Sequence, residues 1–218
     1  MKRKSIFITV VTLLVLVFAG GAFLFNKQRT EQAERVLAQH RQLLVRANAP
    51  REGNPNAPVH IVEFFDPACG TCREFYPLVK NLMAANQGKI QLSVRYAPFH
   101  PGSDQVVKAL EAARRQGMFW QALETLFATQ PDWVVNHRSN PQVALDQLAR
   151  MGLDMTRLEA DMDSPEVARI IAQDLADAKA LNVTATPEYF VNGKGLPSFG
   201  YEQLRNLVDD ALAGAKGT

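Results

Sequence analysis

The chain has 218 residues, 47% of them hydrophobic and 21% charged, with a net charge of +2 at pH 7. That length gives room for one medium domain plus an anchor, and the apolar content excludes a mostly disordered chain. The near-neutral balance gives no strongly basic surface of the kind that marks a nucleic-acid partner, so none is expected.

Lys2, Arg3 and Lys4 precede an apolar run from Ile6 to Phe25. As a helix those ~20 residues span about 30 Å, enough to cross a hydrocarbon core. Residues 1–5 then form a basic cytoplasmic tail and residues 6–25 a transmembrane anchor. The positive-inside rule places everything after Phe25 outside the cytoplasm. The alternative is a cleaved signal peptide, with Gly20 and Ala22, or Val17 and Ala19, offered to the peptidase. Against it, the apolar stretch exceeds the ~7–15 residues of a signal core. Either route exports the domain. The anchored form would be a single-pass protein of the inner (cytoplasmic) membrane, with its domain in the periplasm or another extracytoplasmic space.

Residues 26–54 read as a stalk helix and linker. Val36, Leu37, His40, Leu43, Leu44 and Ala47 recur at helical spacing. Such a helix packs on its own domain or, through residues 31–47, pairs two chains. The stretch from Asn48-Ala49-Pro50 to Asn56-Ala57-Pro58 is rich in Pro, Asn and Gly and reads as a linker, with the compact domain starting near Pro55.

Val59–Phe65 is a run of β-formers suited to a buried strand. After Asp66-Pro67, a helical pattern follows Cys69-Gly70-Thr71-Cys72, with Phe75, Leu78, Val79 and Leu82 on one face and a kink expected at Pro77. Alternating Ile90, Leu92, Val94 and Tyr96 mark a second strand within 89–99. From Ser103 to Leu181 the periodicity is helical, with segments at 140–151, 154–161 and 164–181, and with Ser164-Pro165 as a cap and first-turn proline. Trp120 and Trp133 fall in this block and read as packing residues. Strand character returns at Glu188–Val191, then the turn Asn192-Gly193 and a final helix over 201–212. The order predicts an α/β domain made of residues 55–102 and 182–218, with a helical insertion over 103–181.

The chain has two cysteines, Cys69 and Cys72, in one C-x-x-C. A bridge closing so short a loop constrains the unfolded chain little, so the pair reads as chemistry and not as a staple. With Cys69 at the mouth of a helix, unpaired N–H groups and the helix dipole favour its thiolate. Cys72, one turn on, is then the resolving thiol. A zinc site would need two further ligands, and His40, His60, His100 and His137 are scattered, so no metal is expected. No bound cofactor is required either, because the two sulfurs carry the redox equivalents. Phe65, Pro67, Phe99 and His100 are candidates to border the cleft, with His100 otherwise a plain loop histidine.

The segment Val62 to Cys72 resembles the strand–active-site–helix segment of the DsbA-like branch of the thioredoxin superfamily, and Val183 to Gly193 resembles its segment around a cis-proline. The resemblance covers roughly residues 55–215 and implies a thioredoxin-like fold with an inserted helical subdomain. It implies a cis Pro187 facing the disulfide, with the backbone of Thr186 left to pair with an extended substrate strand. It also implies that Glu63 is a buried acid with a raised pKa that relays the proton of Cys72; the plainer alternative is a strand residue facing solvent. Gly70 and Thr71 depart from the Pro-His pair of the best-known oxidases, which leaves the direction of electron flow open.

The function so implied is thiol–disulfide oxidoreduction, with the Cys69–Cys72 disulfide passed to unfolded or partly folded exported proteins and renewed by a membrane redox partner. A reductase or isomerase kept reduced by a membrane donor is the alternative. From another class come a peptide-binding chaperone and a metal-handling module on the same fold.

Overall fold

The computed structural model describes residues 27–28 and 40–215. The basic tail, the apolar run 6–25 and the stalk residues Val36 and Leu37 lie outside the described residues. Among the described residues, no helix is long and apolar enough to cross a membrane. Contacts divide the chain into Met1–Gln42 and Leu43–Thr218.

Within the second unit the chain runs β1 (Arg51–Gly53), β2 (Val59–Phe65), α1 (Gly70–Ala85) and β3 (Ile90–Tyr96). It continues through α2 (Ser103–Arg115), α3 (Phe119–Ala128), α4 (Gln130–Trp133), β4 (Val134–Val135), β5 (Arg138–Ser139), α5 (Pro141–Ala149), α6 (Met155–Met162) and α7 (Pro165–Ala180). It closes with β6 (Glu188–Val191), β7 (Lys194–Gly195) and α8 (Tyr201–Gly214). This is the mixed α/β order expected from the periodicities.

Five strands form one sheet in the order β1-β3-β2-β6-β7. β2 and β3 are parallel and every other pair is antiparallel. β2 is central and covered on both faces, which explains its unbroken apolar run. Ile61 and Phe65 face the core that includes α1, α8 and the helical insertion, whereas Val62 and Phe64 join Leu44, Ala97, Ala178 and Val183 on the opposite face. α1 runs through Pro77 to Ala85 and buries Cys72, Val79 and Leu82. The Ser164 hydroxyl accepts from the Val167 N–H and Pro165 opens α7.

The domain starts earlier than Pro55. Arg51 pairs with Ser93 and Gly53 with Gln91, so the expected linker contains an edge strand. Gly53 has φ +92, and a Cβ there would lie 2.4 Å from the Ile90 carbonyl oxygen; glycine marks a close approach of strands, not a loose connection. Upstream, the helix at residues 40–44 ends and Leu44 is buried in the domain's own core. The guanidinium of Arg95, itself wholly buried, donates to the carbonyl oxygens of Leu43 and Leu44 at 2.7 and 2.8 Å. Arg46 meets Asp177 through two hydrogen bonds of 2.7 and 2.8 Å.

The insertion over 103–181 is helical with one exception. β4 and β5 form a small hairpin whose tip, Asn136 and His137, has φ of 50 and 58. Positive φ at both central residues is the signature of a tight two-residue hairpin turn.

Candidate active site

Cys69 is the N-cap residue of α1, with φ −76 and ψ 120, and no side-chain hydrogen bond caps the helix. β2 delivers it: the strand ends at Phe65, and the buried carboxylate of Asp66 then organises the connection. It accepts from the Ala68 N–H at 2.9 Å, the His100 N–H at 2.8 Å and the Ser103 hydroxyl at 3.1 Å, and the His100 Nδ1 lies 2.8 Å away. The buried side-chain amide of Gln130, from the insertion, donates to the carbonyl oxygens of Pro67 and Cys69 at 2.8 and 3.1 Å. The cysteine loop is therefore held from both halves of the domain.

The Thr186–Pro187 peptide is cis. Its loop lies against the helix mouth, with the Cys69 thiol donating to the Thr186 carbonyl oxygen at 3.2 Å. That carbonyl is thus engaged by Cys69 in the dithiol state, where the family resemblance implied a free backbone. Pro187 is buried, Thr186 half-buried.

The two thiols differ in accessibility and in acidity. Cys69 retains 7% exposure and Cys72 none. The neighbouring Cys72 thiol, the Thr186 side chain and the N–H groups of Thr71 and Cys72 together pull the Cys69 pKa down to about 5, against the opposing effect of burial. Burial pushes Cys72 well above its ordinary value, and the partner thiol and Glu63 add to the rise. One sulfur is ready to attack or be attacked, and the other holds its proton.

Glu63, on β2, is 3% exposed and faces the core. Burial raises its pKa to about 8. The Tyr189 hydroxyl acts in the opposite direction and a charge on Cys69 raises it further. Tyr189 is the antiparallel partner of Glu63 in the β2–β6 register. Its buried hydroxyl has no partner within hydrogen-bonding geometry. The two residues are thus close enough to influence each other's ionisation while the hydroxyl is not aligned on an acceptor.

A cleft of about 450 Å³ opens beside Cys69. Gly70, Thr71, Glu74 and Thr184 to Thr186 form its sides, with Phe99, His100 and His137 opposite. His100 stacks on His137 with ring centroids 5.9 Å apart. Of the residues expected at its border, Phe99 and His100 are there; Phe65 and Pro67 are buried instead, Phe65 against Tyr96 and Phe127. Among the described residues, no group of three or more His, Cys, Asp or Glu side chains is placed to hold a metal ion.

Residues 47–210 match a family model described as thioredoxin. The chain belongs to the thioredoxin family. This thioredoxin-family chain is similar to a solved thioredoxin-like oxidoreductase from Silicibacter pomeroyi DSS-3, at 34% identity and TM-score 0.69, over 78% of this chain and 96% of that one. BdbD from Bacillus subtilis, in its oxidised form, is 25% identical with TM-score 0.67, over 76% and 94%. The alpha-DsbA1 of Wolbachia pipientis shares the thioredoxin fold at 19% identity and TM-score 0.69, over 81% and 96%. Among curated proteins, the Na(+)/H(+) antiporter NhaA of Herminiimonas arsenicoxydans is 35% identical over 166 residues. That match takes in 76% of this chain and 25% of the antiporter, so the chain spans about a quarter of the length of the curated relatives it matches.

Proposed function

We propose that this chain is a thiol–disulfide oxidoreductase that donates the Cys69–Cys72 disulfide to cysteines of unfolded or partly folded exported proteins. The observation that carries this reading is Cys69, 7% exposed at a helix N-terminus, with the fully buried Cys72 thiol behind it and the Thr186–Pro187 loop in front. Likeness to a thioredoxin-like oxidoreductase supports the chemistry.

In the donating direction, a substrate thiolate attacks Cys69 Sγ, the S–S bond breaks, and Cys72 leaves with the electron pair. Cys72 takes up a proton from Glu63, whose position beneath the pair suits a relay. The second substrate thiolate attacks the substrate sulfur of the mixed disulfide and releases Cys69 as a thiolate. Two electrons pass from substrate to protein and a substrate disulfide forms. An extended substrate lies along the cleft, and the Thr186 backbone becomes available to it once Cys69 has left that carbonyl.

Direction follows from acidity. A stabilised Cys69 thiolate stabilises the reduced protein, and a stable reduced form makes an oxidant. Although Gly70-Thr71 supplies no histidine, hydrogen bonds from the Cys72 thiol and the Thr186 side chain take that part. Regeneration needs an outside acceptor, and a membrane redox partner is proposed, with the chain anchored through residues 6–25 and its domain outside the cytoplasm. The matched relatives are named as Na(+)/H(+) antiporters, which supports a membrane setting for this domain.

The test is oxidative refolding of a reduced, unfolded substrate by the pre-oxidised chain. Native disulfides should form in one-to-one amount, and Cys69→Ser should abolish them. Equal suppression of aggregation by both proteins without disulfide transfer would favour a chaperone instead.

A further inference from the structure

We propose that Tyr189 is a positioning residue for thiol exchange: its hydroxyl donates a hydrogen bond to the Glu63 carboxylate and so sets the pH at which Cys72 can resolve a mixed disulfide. The inference rests on the reading of Glu63 as the proton relay and deepens it.

Tyr189 and Glu63 are directly paired across β2 and β6, so their side chains leave the same face of the sheet as neighbours. That face is covered by α1, where Phe75 stacks on the Tyr189 ring with centroids 6.1 Å apart and planes at 26°. Tyr189 is wholly buried and belongs to the same core cluster as Cys69 and Cys72. Packing alone would be served better by phenylalanine, because a buried hydroxyl without a partner is unfavourable. The one acidic group paired with it is Glu63, and a carboxylate is the stronger acceptor. A small rotation of the carboxyl on ionisation would complete the bond that the dithiol state lacks.

The groups that face Glu63 are few: Cys69 and Cys72 from α1 and Tyr189 from β6, with Tyr76 of α1 sensing its charge at longer range. Among the described residues no lysine or arginine contributes to its shift. Tyr189 is therefore the group that favours the charged carboxylate, in opposition to burial and to the Cys69 thiolate. In the mixed disulfide Cys69 carries no charge, so that opposition weakens when the relay is needed. The Cys72 S–H proton then passes to the Glu63 carboxylate, the Cys72 thiolate attacks Cys69 Sγ, and the bound thiol leaves. Tyr189 keeps its own proton throughout.

The reduced full-length chain reacting with 5,5′-dithiobis(2-nitrobenzoate) separates the two steps by stopped flow. The first thionitrobenzoate release reports attack by Cys69, and the second reports resolution by Cys72. Tyr189→Phe should leave the first phase unchanged and move the pH midpoint of the second about one unit alkaline, a tenfold slowing below the midpoint. A fluorinated tyrosine at 189, a stronger donor, should move it the other way, which a purely structural role would not do. Glu63→Gln should displace the second phase, and adding Tyr189→Phe to it should change nothing more. If Glu63→Gln displaces the profile while both Tyr189 replacements leave it on the wild-type curve, the Tyr189 proposal is overturned and the relay stands. If Glu63→Gln itself leaves the profile in place, both fall.

Discussion

Glu63 is the residue at which stability and chemistry compete. Its folded-state pKa of about 8 lies above the ordinary 4.5, because the carboxyl is buried. The folded state therefore holds a proton that the unfolded chain has released. Whatever stability the protonated carboxyl allows is complete below about pH 4.5 and is lost as pH rises towards 8. Glu63→Gln removes this dependence. In the reduced protein, the variant should gain on wild type progressively across that window, by on the order of a few kcal/mol at its upper end. Parallel stability–pH curves from urea unfolding would contradict a buried, titrating Glu63. The same variant should slow resolution by Cys72, so stability is gained where catalysis is lost.

At the scale of elements, the insertion is more than a cover. α4 sends Gln130 under the cysteine loop, and the β4–β5 tip brings His137 against His100 at the cleft. Gln130→Ala would leave the buried Pro67 carbonyl oxygen without its donor and the Cys69 carbonyl with the Arg73 N–H alone, a loss of about 1–3 kcal/mol. Amide exchange at Cys69 to Cys72 should quicken and thiol exchange should slow; unchanged exchange at the loop would show that α4 does not hold it. The strands, the long helices and the Ser164–Pro165 start of α7 were legible because period and capping are local signals. So was the pairing of Cys69, Cys72 and Thr186-Pro187, through two contiguous motifs. Gln130 and His137 were not, because each reaches the site from a distant segment with no spacing to announce it; Tyr189 lies two residues past Pro187 but reads in sequence only as an apolar strand residue. Gly53 misled in the opposite sense: a glycine imposed by close strand contact reads, in sequence, like a linker. Asp66 was visible only as the end of a strand, although it accepts from the loop on both sides of the cleft.

For the molecule as a whole, the sheet is clamped from its far face by charge. Arg95, on the face of β3 opposite Ile90, Leu92, Val94 and Tyr96, is buried between Asp174 and Asp177, with hydrogen bonds of 2.8 and 2.5 Å. Burial pushes Asp177 up, yet hydrogen bonds from Arg46 and Arg95 outweigh it and hold its carboxyl below the usual range. Removing one partner of such a cluster is costlier than its net contribution suggests, since a charge is stranded in the core. The cluster fixes residues 43–46 to the sheet and extends the domain upstream of the edge strand. The site on the opposite face holds the two cysteines of the chain, with the buried Glu63 in the same core. Its direction is then set by how strongly the fold favours the Cys69 thiolate. Equilibrating the full-length chain with graded glutathione buffers and titrating the Cys69–Cys72 couple measures that preference. The potential is expected well above thioredoxin's roughly −270 mV, towards the roughly −120 mV of DsbA. A value at or below thioredoxin's would mean a reductant, and donation of the disulfide to exported proteins would be contradicted.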